Sequence, residues 1–161
     1  MIVMLQIELQ WGIEALDCPT EVLCKKWVGA SLIKADKATE LTIRIVSEEE
    51  SQTLNKAYRN QDKSTNVLSF EFEAPIGLPE GALDEGGESF YLGDLAVCAE
   101  VVAQEAQQQN KPLEAHWAHM IVHGTLHLQG FDHIETADAL EMEALEVKIM
   151  RQLGYANPYE I

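Results

Sequence analysis

The eleven residues HGTLHLQGFDH, His123 to His133, constrain the fold of this chain more than any other stretch. Residues four apart share one face of an α-helix, so His123 and His127 present two imidazoles side by side only if the chain is helical there. The helix must then stop, because His133 lies six residues further on and can rejoin the pair only round a turn. Gly130 suits that stop, since a residue without a Cβ takes a left-handed backbone at no steric cost. All five histidines of the chain lie between His116 and His133.

The spacing has a chemical meaning. Two imidazoles at helical spacing are about the right distance apart to ligate one metal ion, and a third beyond a glycine turn completes a three-histidine face. Three neutral imidazoles leave one tetrahedral position open for water, which marks catalytic and not structural zinc. A histidine pair alone is more often ordinary surface or core chemistry. The trio His123, His127 and His133 is the stronger reading, with one zinc ion per chain. His119, one turn before His123, is expected to hold a ligand in place or to face a substrate. His116, in the first turn of the helix, is expected to be solvated. Metzincin-type zinc peptidases place H-E-x-x-H-x-x-G-x-x-H at the same positions. Here Gly124 stands where their glutamate, the general base, would be, and the peptidase reading loses its proton acceptor.

The rest of the chain alternates strands and helices. MIVMLQIELQ sets Val3, Leu5, Ile7 and Leu9 against Gln6, Glu8 and Gln10, and LTIRIVS sets Leu41, Ile43 and Ile45 against Thr42 and Arg44. NVLSFEFE gives a third strand and YLGDLAVC a fourth, pausing at Gly93-Asp94. Helices are predicted from Thr20 to about Leu32 with Leu23, Trp27 and Ala30 on one face, and from a Ser47/Glu50 capping box to about Tyr58. A third covers AEVVAQEAQQQ. A fourth runs from Pro112, at a first helical position, to about Leu128. The last runs from about Ala137 to Leu153, with Leu140, Ala144, Val147 and Met150 or Arg151 as its stripe, and Gly154 ends it. APIGLPEGALDEGGES holds four glycines, two prolines and no basic residue, and reads as an exposed loop. The sum is an α+β, or mixed α/β, fold. It has a small sheet of roughly four strands, about five helices around it and the metal site at the end of a central helix.

Bulk properties narrow the class. The 161 residues, 47% apolar and 24% charged, suit one domain over residues 1–161, with no pattern that needs a second core. No positive charge precedes the apolar residues of the N-terminus and no apolar run approaches the roughly 18 residues of a membrane span, so a cytoplasmic protein without a membrane partner is expected. Cys18, Cys24 and Cys98 are odd in number and lack CxxC spacing, so no disulfide partner is expected. The 27 acidic and 11 basic residues give a net charge of −16, which repels polyanions at long range. A nucleic-acid ligand therefore requires a local basic patch.

One stretch offers such a patch. NKAYRNQDKSTNVLSF carries Lys56, Arg59 and Lys63 just before a strand, with Thr65 and Asn66 at its start. A guanidinium here can grip a phosphate bidentately. The plainer alternative is a solvated helix end whose cations compensate the helix dipole.

Taken together, these pieces resemble the YbeY endoribonuclease family. HGTLHLQGFDH closely resembles its H-G-x-L-H-L-x-G-[YF]-D-H signature, and YRNQDKSTNVLSF its R-x-x-D-x-x-T-[DN]-V-L-S-F segment. YLGD resembles its L-G-D strand, and LGYANPY is similar to its C-terminal ending. Order and spacing agree across nearly the whole chain. The resemblance implies a single-strand-specific, metal-dependent endoribonuclease with a mixed sheet and a metal in a cleft. It further implies roles in 3′ end maturation of small-subunit ribosomal RNA and in ribosome quality control. Partners would be single-stranded and ribosomal RNA, the small ribosomal subunit and its assembly proteins. It carries zinc ligation onto His123, His127 and His133 and a functional arginine onto Arg59. In that scheme Arg59 stabilises charge on a phosphorane-like transition state, and Lys56, Lys63, Thr65 and Asn66 contact the RNA. Asp132 and His119 are the candidates for orienting a ligand or taking a proton. Two rivals stand beside this reading: a non-catalytic ribosome-assembly factor stabilised by zinc, and the metzincin-like peptidase.

Overall fold

The computed structural model describes residues 5–11, 18–33, 39–71, 90–131 and 135–159. Along them run β1 (Leu5–Trp11), α1 (Glu21–Ser31), β2 (Thr39–Val46), α2 (Glu48–Arg59), β3 (Val67–Glu71), β4 (Phe90–Cys98), α3 (Ala99–Gln108), α4 (Leu113–Leu128) and α5 (Thr136–Gln152). The strands form one sheet in the order β1-β2-β4-β3. β1, β2 and β4 are parallel, and β3 runs antiparallel along β4. This is the mixed α+β sheet with surrounding helices that the sequence pattern implies. The acidic loop expected at residues 74–89 lies outside the described residues.

Alternation along the strands builds the two faces of the sheet. Leu41, Ile43 and Ile45 of β2 join Leu95 and Val97 of β4 in the main core, with Trp27 of α1, Ile121 of α4 and Ile149 of α5. Val46, Leu68, Ala96 and Cys98 form a smaller cluster, with Leu54 of α2 and Val101 of α3 packed against it. α4 is the axis of the arrangement, touching α1, α3, α5, β3 and β4. Such a helix must be apolar nearly all round. From His116 to Leu128 every residue of α4 is buried except His123 and His127.

Two glycines fix how closely the elements approach. Gly93 has φ +149°, and a Cβ there would lie 2.3 Å from the Phe70 carbonyl oxygen of β3. It sits where the register between β2 and β4 shifts, so the pause in YLGDLAVC is a bulge. Gly124 has its own constraint: a Cβ would meet Leu95 Cδ2 at 2.7 Å and Ser69 Oγ at 3.3 Å. α4 thus lies directly on β4 and β3, and no glutamate fits at this position. The general base of the metzincin-like peptidase is therefore missing at a position that close packing reserves for glycine.

Helix ends follow local chemistry. Ser47 Oγ accepts the Glu50 N–H at 3.1 Å. The Glu50 carboxylate does not complete a reciprocal capping box; it takes a bidentate pair from Arg44 at 2.6 and 3.1 Å. Pro112 is the N-cap of α4, one residue before the helical position expected for it. At the other end Gly130, at φ +97°, donates to His127 O at 3.0 Å, and Phe131 donates to Leu126 O at 3.2 Å. That is a Schellman stop, as the glycine suggested. The left-handed Asn110 closes α3 in the same way.

Two faces differ from the pattern reading. In α1 the buried residues are Cys24, Trp27, Val28 and Ser31, with Leu23 and Ala30 at the margin. In α5 the stripe of Leu140, Ala144, Val147 and Met150 or Arg151 is displaced. Leu140, Ala144 and Arg151 are exposed, and the buried residues are Met142, Glu146, Ile149 and Met150. The hydrophobic pattern misleads because the true stripe passes through an acid.

A carboxylate ties three elements together behind the sheet edge. Glu105 of α3 accepts from Asn66 Nδ2 at 3.0 Å, before β3, and from His116 Nε2 at 2.9 Å, in α4. The hydrogen bond with His116 holds the Glu105 carboxyl below its ordinary pKa, against burial. A carboxyl depressed in the folded state stabilises it fully above the unfolded pKa, and that stability is lost as pH falls through the folded value. Glu105→Gln should therefore cost most stability at neutral pH, and the difference from wild type should shrink as pH falls below the ordinary carboxylate range, measured by urea unfolding. Gly124→Ala should lower stability by about 1–3 kcal/mol through overpacking against Leu95, read from the same unfolding curves.

Candidate functional site

His123 and His127, the two residues between His116 and Leu128 of α4 spared from burial, open into a cleft of about 1020 Å³. Its other walls come from the end of α2, the approach to β3, β3 itself and the turn after α4. Arg59, Thr65, Asn66, Ser69, Glu71 and Asp94 line it together with the two histidines.

The chain folds back to deliver these groups. α2 is polar, and its buried positions are Ser51 and Asn55. Ser51 Oγ bonds the Thr65 carbonyl and N–H, both at 2.9 Å, and Asn55 Nδ2 donates to Lys63 O at 2.9 Å. The segment from α2 to β3 is therefore pinned onto its own helix. Asn60, left-handed at φ 59°, turns the chain just after Arg59. Arg59 Nη2 donates to Ser69 O at 2.8 Å, and its guanidinium lies 5.9 Å from the Phe70 ring centroid. A guanidinium has five N–H donors, so this anchor leaves capacity for a phosphate.

The expected RNA-contacting residues divide. Thr65 and Asn66 line the cleft, although Asn66 spends its amide on Glu105 and on the Val67 N–H at 2.6 Å. Lys56 and Lys63 are exposed and lie outside the lining. Among the described residues Arg59 is the only Lys or Arg of the cleft wall, which also carries Glu71 and Asp94. The basic patch is a single guanidinium.

His123 and His127 point their Nε2 atoms at each other, 3.1 Å apart. His123 Nδ1–H donates to Glu146 Oε1 at 2.6 Å, which leaves a lone pair on Nε2. A proton or a cation must then lie between the two imidazoles. Two nitrogens ligating one tetrahedral zinc at about 2.05 Å lie about 3.3 Å apart, so the pair fits a shared metal. His133 and Asp132, the other members expected here, lie outside the described residues.

Glu146 was not anticipated from sequence. It is fully buried, and its carboxylate collects His123, His119 Nε2 at 3.2 Å and the Tyr159 hydroxyl at 2.5 Å. Burial alone would raise its pKa; the hydrogen bonds from His119, His123 and Tyr159 prevail and hold it well below the ordinary range. His119, His123 and Glu146 form a group that could hold a metal ion. The 2.6 Å contact is short for two ligands of one tetrahedral ion and natural for a charge-assisted hydrogen bond, so the carboxylate better serves as a holder of His123.

His119 is buried and absent from the cleft wall, so it does not face a substrate there. Burial pushes its pKa down, against the Glu146 hydrogen bond. His116 is also buried, not solvated, because α4 is covered by α3 at that end. The signal for both was available in the apolar composition all round α4.

Comparison with known proteins agrees with this picture. Residues 13–154 match the family described as Endoribonuclease YbeY. A protein of Hydrogenovibrio crunogenus named Endoribonuclease YbeY is 54% identical, covering 98% of this chain and 99% of its own. One of the same name from Alcanivorax borkumensis is 49% identical over 95% of this chain and 85% of its own. A Thermotoga maritima protein solved in solution superposes with a TM-score of 0.58 at 24% identity, covering 96% of this chain and 99% of that one, which shows a shared fold.

Proposed function

The chain belongs to the YbeY endoribonuclease family, and on that premise we propose that it is a metal-dependent endoribonuclease cutting single-stranded RNA. The observation that carries the metal part is the 3.1 Å convergence of His123 and His127 at the base of the cleft that also takes Arg59. The proposed ligands are His123, His127 and His133, for one zinc ion per chain. Three imidazoles suit zinc, which supplies Lewis acidity toward a water or a phosphate oxygen.

The remaining work falls to the chain itself. Arg59 binds a non-bridging phosphate oxygen with the N–H groups not spent on Ser69, and meets the charge that develops as the phosphorus becomes five-coordinate. Glu146 holds His123 in the tautomer that directs Nε2 to the cleft. Glu71 and Asp94 keep the wall acidic around that one cation, so a strand binds where a phosphate reaches Arg59. Thr65 and Asn66 stiffen the wall next to Arg59. Lys56 and Lys63 meet the RNA only beyond the cleft. Asp132 stays a candidate for the proton acceptor.

The biological setting proposed is 3′ end maturation of small-subunit ribosomal RNA and ribosome quality control in the cytoplasm, with the small subunit and its assembly proteins as partners. Among the described residues no helix is long and apolar enough to cross a membrane, and no disulfide joins Cys18, Cys24 and Cys98. The non-catalytic assembly factor predicts zinc binding without cleavage.

Cleavage of a labelled single-stranded RNA should be seen with wild type, be lost on chelation and return with zinc. Arg59→Ala should retain zinc and cut at least tenfold more slowly, about 1.4 kcal/mol of transition-state stabilisation or more; equal rates would remove Arg59 from the chemistry. His127→Ala should bind less zinc per chain, measured by metal analysis after dialysis. Full retention would remove His127 from the ligand set.

A further inference from the structure

Glu146 poses an energetic question. An apolar side chain buried at that position of α5 would stabilise the fold. A buried carboxylate instead carries a large desolvation cost before its partners are counted. It is retained with three donors arranged around it, two on α4 and one, Tyr159, in the segment after α5. We infer that Tyr159 is a positioning residue of the metal centre: its hydroxyl fixes the Glu146 carboxylate, which in turn fixes His123. The inference rests on the metal reading proposed above and extends it to a part of the chain remote in sequence from the histidines.

The geometry of residues 155–159 supports this. Tyr155 donates its hydroxyl to Glu114 at 2.6 Å and accepts from Trp27 Nε1 at 3.3 Å, which fastens the segment to α4 and α1. Lys111 Nζ donates to Pro158 O at 2.5 Å. The Tyr159 N–H donates to Asn157 Oδ1 at 2.8 Å and shapes the final turn. Beneath the segment lies a cavity of about 330 Å³, lined by His116, His119, Lys111, Asn157 and Pro158 among others. Directed hydrogen bonds act there together with the packing of Tyr155 on the main core and the burial of Pro158. Tyr159 is 44% exposed, yet its hydroxyl reaches the fully buried carboxylate, and its ring meets His119 edge-on at 5.4 Å. A large aromatic side chain at the surface is thus committed to one interior atom.

The division of labour within the carboxylate is specific. Oε2 takes Tyr159, while Oε1 takes both histidines. With Oε2 held, Oε1 cannot rotate away from His123 Nδ1–H. The imidazole keeps its proton on Nδ1 and its Nε2 lone pair toward His127. Groups that orient a metal ligand in this way commonly change metal affinity by 10–100-fold when removed.

The test measures zinc affinity by competition with a chromophoric chelator, together with the visible spectrum of the cobalt-substituted protein. Wild type is compared with Tyr159→Phe, Glu146→Gln and Tyr155→Phe. Expected are a loss of about 10–100-fold for Glu146→Gln and about tenfold for Tyr159→Phe, with shifted cobalt bands in both. Tyr155→Phe removes a hydroxyl from the same segment but ends on Glu114 and Trp27, and should bind both metals as wild type does. Wild-type affinity or tighter binding in Tyr159→Phe overturns the inference. So does an equal loss in Tyr155→Phe, which would make the effect one of general stability. If Glu146→Gln does not fold, Tyr159→Phe still decides, because its change starts from a half-exposed ring. A wild type that takes up no zinc would overturn the metal reading and this inference with it. Zinc bound as expected with no RNA cut would fault the nuclease reading alone.

Discussion

The structure depends on a helix that is buried on every side but one. α4 carries the sheet contact through Gly124, the α5 contact through His119 and His123, and the α3 contact through His116. An interior helix has no freedom to roll, because each face is matched to a different neighbour. His123 and His127, which it leaves uncovered beyond its first turn, are therefore fixed in direction. That rigidity is what a metal-binding or catalytic pair needs, since a shift of about 1 Å is enough to spoil such a site.

The opposite wall of the cleft is built by a different principle. α2 buries Ser51 and Asn55, and both spend their side chains on the backbone of the segment that follows. A polar helix thus folds its own exit loop against itself. Arg59 sits at the hinge of that arrangement and is tied to Ser69 of β3, whose hydroxyl donates to Gly124 O at 3.2 Å. The arginine and the histidines are joined through one short path of hydrogen bonds and a glycine contact. The residues that the sequence singled out as two separate constellations are neighbours because α4 is pressed onto β3.

Periodicity made much of this legible. The strand alternations, the Ser47 cap, the helical histidine pair and the Gly130 stop each follow from local rules, and the structure has them within a residue or two. What local rules could not reach were features decided by tertiary partners. Glu146 reads as surface because a buried acid is intelligible only once His119, His123 and Tyr159 surround it, and those lie 27, 23 and 13 residues away. The same hidden acid shifted the buried stripe of α5. His116 reads as solvated unless the apolar composition all round α4 is taken as the sign that the helix is enclosed. Lys56 and Lys63 share a sequence neighbourhood with Arg59, but both stay exposed outside the cleft lining, Lys63 beyond the left-handed turn at Asn60. His133, Asp132 and the acidic stretch fall outside the described residues, and for these the sequence pattern stands alone.

Charge is the property that composition reports and the cleft reinterprets. A net charge of −16 opposes the approach of any polyanion, and a surface of many lysines, the usual means of overcoming it, is absent from this composition. The described cleft answers with one anchored guanidinium and a convergent imidazole pair, flanked by Glu71 and Asp94. Long-range repulsion falls off over about 10 Å at ordinary ionic strength, whereas a bidentate phosphate contact acts at hydrogen-bond distance. Such a protein gains nothing from RNA that merely passes near it. On the reading proposed above, it gains from a strand whose phosphate reaches Arg59 while the neighbouring groups reach the histidines. On the proposed reading, an acidic wall around a small cationic focus thus favours position over affinity.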